Sequence, residues 1–194
     1  FAESYYYVRH PDAATLGQLW ERVVNIAEAA AKGTETQLSV EVMHGNHSVL
    51  PNEELAQLMH SNLSRVGGVH YDAVEAVFAE KLSESLHGNY IGMEQEIMPY
   101  EVRQGMGSTD VGDISWVVPT VGMRAATWVP GTAAHSWQAI AAGGTSIGIK
   151  GMTVAAKTLA LTARDLFLQP ALIDVAVQEF NMRRGENFQY RALL

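Results

Sequence analysis

TETQLSVEVMHG, Thr34 to Gly45, sets apolar Leu38, Val40 and Val42 against polar Gln37, Ser39 and Glu41. A period of two puts every second side chain on one face, the pattern of a half-buried β-strand. Whether the protein contains a sheet turns on this stretch. Before it, residues 13–32 repeat Leu16, Leu19, Trp20, Val23, Val24, Ile26 and Ala27 at helical spacing, with Asp12 placed to cap the start and Gly33 to end the helix. Earlier still, residues 2–10 are rich in tyrosine and close at Pro11, which reads as another strand. The opening is therefore expected to run strand, helix, strand.

After the turn GNHSVLPN, Asn52 is placed to cap a second helix with Glu53 and Glu54 in its first turn, where negative charge suits the helix dipole. That helix is expected to end near Gly67 and Gly68, and a third covers residues 71–86. Residues 87–106 mix Gly, Met and Pro and read as irregular. Two short apolar runs, ISWVVPTV and MRAATWVP, read as strands within residues 114–130. From Gly151 the positions Met152, Ala155, Ala156, Leu159, Ala160, Ala163, Leu166 and Phe167 make one apolar stripe of an amphipathic helix. Pro170 opens a last helix that Gly185 breaks. The expected class is α/β, with a boundary near Pro51 separating residues 1–50 from 51–194.

Composition narrows the function. The chain has 194 residues, 47% of them hydrophobic, which supports a globular core. Its formal charge of -8 would repel a phosphate backbone, so nucleic acid is not an expected partner. No run approaches the length of a membrane span, and no basic region followed by an apolar segment opens the chain, so a soluble, cytoplasmic protein is expected. The absence of cysteine removes thiol nucleophiles and cysteine-bound zinc, and any metal site must use His, Asp and Glu. The opening FAESYYYVRH carries no initiator methionine and enters a strand pattern at once, which predicts a piece of something larger.

Several stretches invite a chemical reading. GGTSIGIKG, residues 143–151, nearly imitates a phosphate loop, but Ile149 separates the glycine from Lys150 and Gly151 replaces the hydroxyl, so glycines leading into a helix account for it better. His44 and His47 in HGNH have a spacing that a metal could use, yet read better as polar turn residues. His135 differs, standing among Ala133, Ala134, Ser136 and Trp137. An imidazole there either satisfies a buried hydrogen bond, the commoner case, or ligates a metal. Asp110 and Asp113 invite the same weighing: the Ser108 and Thr109 hydroxyls and the Asp110 carboxylate either cap the next segment by local hydrogen bonds, or a carboxylate serves a site by steadying a ligand or accepting from a substrate amide.

GSTDVGDISWVVPT, residues 107–120, followed by GTAAHSWQAIAAGGTSIGIKGMTVAAKTLALTA, resembles the C-terminal part of the aminoacylase and carboxypeptidase superfamily of two-metal amide hydrolases, in the branch of the p-aminobenzoyl-glutamate hydrolases and their B-type subunit. The resemblance implies that residues 1–50 are the end of a ferredoxin-like α+β lid or dimerisation domain and residues 51–194 the C-terminal part of a catalytic domain. It implies two divalent ions, zinc or manganese, which acidify a shared water and polarise an amide carbonyl. His135 stands at the place of the last metal ligand. Ser108, Thr109 and Asp110 match the segment lining the substrate cleft, and Arg9 matches a strand-borne arginine suited to a substrate carboxylate; an exposed strand-end arginine is the plainer reading. The remaining ligands and the general-base glutamate fall outside these residues, so no catalytic residue is assigned and this chain alone is expected to be inactive. The implied substrate is an N-acyl amino acid such as p-aminobenzoyl-glutamate, and the implied partners are a second copy through the lid and a further subunit. The alternative is a non-catalytic dimerisation or ligand-binding module of the same origin.

Overall fold

A computed structural model describes residues 1–88, 90–103, 105 and 107–193. Asn89, Gln104 and Met106, inside the stretch read as irregular, and Leu194 lie outside the described residues. The helices are α1 (Ala13–Gly33), α2 (Glu53–Val66), α3 (Ala73–Ser83), α4 (Val111–Ser115), α5 (Trp137–Gly143), α6 (Ser146–Leu168) and α7 (Pro170–Arg184), with a 3₁₀ turn at Met93–Gln95.

No strand occurs among the described residues, which corrects the expected α/β class and its ferredoxin-like lid. Residues 2–10 and 36–50 are without regular structure, and Leu38, Val40 and Val42 are all exposed. Of the two runs expected as strands within residues 114–130, the first begins inside α4 and the rest is irregular. The physical reason is the asymmetry between the two kinds of secondary structure. A helix closes its backbone hydrogen bonds within itself, whereas a strand exists only through a neighbour's N–H and C=O groups. Period-two alternation specifies which face would be buried but supplies no neighbour.

The chain falls into two compact units, one formed by Phe1–Leu50, Gln104–Val118 and Arg183–Leu194, the other by Pro51–Arg103 and Pro119–Met182. In the first, Asp12 caps α1 by accepting from the Thr15 backbone N–H at 2.8 Å. Of the expected α1 stripe, Leu16, Leu19, Trp20, Val23, Val24 and Ala27 are half-buried while Ile26 is exposed, and no α1 residue is fully buried. The short α4 is locked to residues 47–50. The Leu50 N–H donates to Ser115 Oγ at 2.8 Å and the Trp116 indole N–H to the Ser48 carbonyl at 2.7 Å. Gly112 is required there because a Cβ would stand 1.9 Å from the His47 carbonyl oxygen.

In the second unit the caps fall where the sequence places them or follow the same rule. Asn52 accepts from the Leu55 N–H, and Asp72 and Glu75 form a reciprocal capping box around the start of α3. The core holds Ala79, Leu82, Val129, Ala142 and Ile147, with Phe78, Leu86, Ile91 and Trp128 packed around it. The helix expected from Gly151 begins five residues earlier, at Ser146, with Thr145 as its cap. Its packed face is not the apolar stripe. Ile147, Gly148, Gly151, Thr158, Thr162 and Asp165 are buried, while Met152, Leu159 and Phe167 are 60%, 48% and 85% exposed. The polar face is satisfied by α2, where the Asn62 amide donates to Thr162 Oγ1 at 3.3 Å and to Asp165 Oδ2 at 3.1 Å. The glycines of GGTSIGIKG serve this packing. A Cβ on Gly151 would lie 2.3 Å from the Ala126 carbonyl oxygen, and Lys150, the would-be phosphate ligand, is held by Glu75 and by the His70 carbonyl at 3.0 Å.

Candidate functional site

Ser108, Thr109 and Asp110 line a cleft of about 410 Å³ together with Tyr7, His44 and Asn46. All six belong to the first unit. Asp110 precedes α4, yet its side chain makes no capping bond, and the Val111 N–H turns to Thr109 Oγ1 at 3.3 Å instead. The local bond expected of this motif is thus made by the Thr109 hydroxyl and not by the Asp110 carboxylate. The Thr109 hydroxyl makes a long approach to its carboxylate at 3.4 Å, which leaves lone pairs for a ligand.

Around that carboxylate the lining is two-sided in hydrogen bonding. The Tyr7, Ser108 and Thr109 hydroxyls and the Asn46 amide can each donate and accept, the set needed to hold an amide, which presents both N–H and C=O. Arg9 does not line this cleft, but its guanidinium carbon lies 5.2 Å from the centre of the Tyr7 ring, so it stands over a residue that does. Among the described residues no carboxylate pairs with Arg9.

Asp113, weighed beside Asp110, is used structurally: it accepts from the Tyr190 hydroxyl at 2.9 Å, which raises the Tyr190 pKa. The two histidines of HGNH separate in role. His47 lies between Trp116 and Tyr190, with ring centroids 6.0 and 5.7 Å away, and its Nε2 donates to the Arg191 carbonyl at 2.8 Å. His44 reaches the cleft. Sequence reasoning sets both aside as turn residues and misses His44, Asn46 and Tyr7 as lining groups. The only signal is the HGNH spacing, and it points to the pair rather than to one member.

His135 belongs to the second unit. It is exposed, so the reading in which its ring satisfies a buried hydrogen bond does not hold. Its backbone φ is 61°, in the left-handed region that a residue with a Cβ rarely occupies. Ser136, next in the chain, caps α5 by accepting from the Ala139 N–H, which fixes the strained residue at the helix entrance. Among the described residues no group of three or more His, Asp or Glu side chains is placed to hold a metal ion. The described residues therefore do not by themselves make a metal centre.

The chain is 32% identical, over 205 aligned positions covering 92% of its length, to the B-type subunit of p-aminobenzoyl-glutamate hydrolase from Escherichia coli strain K12. It is a homologue of that hydrolase subunit. The mouse Xaa-Arg dipeptidase is a second relative, 28% identical over 96% of the chain. The homologue spans 43% of the first relative and 37% of the second, less than half the length of either. No family profile matches it, and no solved structure matches it. Among the described residues no helix is long and apolar enough to cross a membrane.

Proposed function

We propose that this amidohydrolase homologue is the C-terminal part of a metal-dependent enzyme that hydrolyses the amide of an N-acyl amino acid such as p-aminobenzoyl-glutamate. The observation that carries the reading is the 32% identity to part of a hydrolase over nearly the whole chain. In this reading residues 1–50 end a lid or dimerisation domain, and residues 51–194 belong to the catalytic domain. His135 supplies one ligand to a pair of zinc or manganese ions, and the other ligands and the general-base glutamate come from polypeptide outside these residues. When bound, such ions acidify a water and polarise the amide carbonyl. The chain's own contribution is to hold the substrate. Ser108, Thr109 and Asp110 orient the amide, and Arg9 pairs with the amino-acid carboxylate through two parallel hydrogen bonds. The proposed assembly is a homodimer through the lid, with a further, different subunit suggested by the relative's being one subunit of its hydrolase, and the proposed compartment is the cytoplasm. The exposed apolar face of α6 supports the incomplete-enzyme reading, because an amphipathic helix is stabilised by covering that face.

The test uses the complete gene product with manganese or zinc. Hydrolysis of p-aminobenzoyl-glutamate is expected, with bound metal and activity both falling at least about tenfold in His135→Ala. His135→Gly is expected to lose activity equally while gaining about 1 kcal/mol of stability, because glycine relieves the left-handed backbone strain. A His135→Ala variant that keeps parental rate and metal content would remove His135 from the metal site. A complete product that binds metal but cleaves no N-acyl amino acid would favour the non-catalytic module.

A further inference from the structure

The second unit holds two buried carboxylates in different circumstances. Glu75 carries its own cation, with Lys150 Nζ on Glu75 Oε2. Glu94 is only 4% exposed, yet among the described residues no lysine or arginine pairs with it. Its Oε2 accepts from the Gly92 N–H at 2.7 Å, while among the described residues Oε1 has a long contact of 3.4 Å from the Gln95 amide. A carboxylate so little exposed needs donors for its oxygens.

Glu94 faces a cavity of about 400 Å³, within the range of small-ligand pockets. Tyr90, Trp128, Met93 and Met98 give that cavity an aromatic and thioether wall. Thr132 also lines it, and its Oγ1 is buried without a hydrogen-bond partner. The Tyr71 phenol is held above its ordinary pKa by burial first, then by the negative charges of Glu94 and Glu75, so the field here is negative. One carboxylate with the hydroxyls of Tyr90, Thr127 and Thr132 falls short of the roughly six to eight oxygens that calcium takes, and no imidazole lines the cavity to suit zinc. The set matches an N–H cation: a carboxylate to balance charge, a hydroxyl to accept a second N–H, and aromatic faces that attract a cation and pack its stem.

We propose that the Glu94 cavity binds a small organic cation, an ammonium or amidinium on an aromatic or short apolar stem. The inference stands on this cavity alone and does not rest on the hydrolase reading. Calorimetric titration of the full chain with benzylammonium, and separately with benzyl alcohol of nearly the same shape, tests it. Benzylammonium is expected to bind at least about tenfold more tightly than the alcohol. Glu94→Gln, which keeps an acceptor for the Gly92 N–H, is expected to erase that preference, and Thr132→Val to weaken the cation about threefold while leaving the alcohol unchanged. Circular dichroism checks each variant's fold; should Glu94→Gln fail to fold, the wild-type preference and Thr132→Val decide. The proposal is overturned if benzylammonium does not bind, if the alcohol binds equally well, or if folded Glu94→Gln binds the cation like the parent.

Discussion

The helices α1 and α6 are nearly equal in length, 21 and 23 residues, yet α1 buries no residue and α6 buries six. Both are capped by the expected kind of side chain, Asp12 and Thr145. What separates them is the company they keep: α6 is flanked by α2 and α5, whereas α1 shares its unit with segments without regular structure in which Leu38, Val40 and Val42 are exposed. Local chemistry thus suffices to form a helix, while burial requires a surface brought by another element.

Glycine substitution breaks or sharpens that contrast most strongly. In α6, Gly151→Ala would set a Cβ 2.3 Å from the Ala126 carbonyl oxygen, and neither backbone can yield without disturbing the core. The expected loss is about 3 kcal/mol. In α1, a Cβ on Gly17 meets nothing within 4 Å, so Gly17→Ala is expected to stabilise by about 0.5–1 kcal/mol through helix propensity. Urea unfolding of the two variants gives the comparison directly. Equal and small effects would mean that α6 is no more tightly packed than α1.

Acid distinguishes the units next. Glu75 has its pKa pulled down from 4.5 to about 2, chiefly by its hydrogen bond from Lys150 and then by one from Ser146, with burial opposing. Because the folded value lies below the unfolded one, this group's stabilisation is complete above pH 4.5 and is lost as pH falls from there toward 2. The capping box of α3 should weaken over that window, since the same carboxylate accepts from the Asp72 N–H at 2.8 Å. Melting temperature against pH is the measurement. Lys150→Met is expected to destabilise the protein near neutrality and flatten the acid slope, and an unchanged slope would detach Glu75 from the acid response.

Much of this is legible in the residues. Asp12, Asn52 and the periodicities of α1, α2 and α3 place those helices within a few positions, because capping and amphipathic spacing act over single turns. The phase of α6 departs from its pattern for a physical reason: its stripe of Met152, Leu159 and Phe167 is apolar, but the buried side is set by Asn62 of α2, which makes Thr162 and Asp165 the satisfied inner residues. The expected strands fail because alternation at Leu38, Val40 and Val42 cannot supply a neighbouring backbone. In the cleft, Ser108, Thr109 and Asp110 are visible as a motif, whereas Tyr7, His44 and Asn46 join them from far earlier in the chain, a separation no local pattern encodes. Glu94 is hidden in a run of Gly, Met and Pro with no periodicity to assign it an inside.

The smallest effect bears on the exposed face of α6. In this chain Leu159 is 48% exposed, so Leu159→Gln removes little packing and is expected to shift stability by no more than about 0.5 kcal/mol. In the complete gene product, where the proposed reading sets further polypeptide over that face, the same substitution would leave a polar amide against an apolar surface and cost about 2 kcal/mol. The difference between the two measurements, rather than either value, carries the information. A cost near zero in both would show that α6 keeps its apolar stripe uncovered in the larger molecule and remove one support from the incomplete-enzyme reading. A cost of about 2 kcal/mol in the chain alone would mean that the stripe is already covered by a second copy, so the unfolding midpoint should then rise with protein concentration.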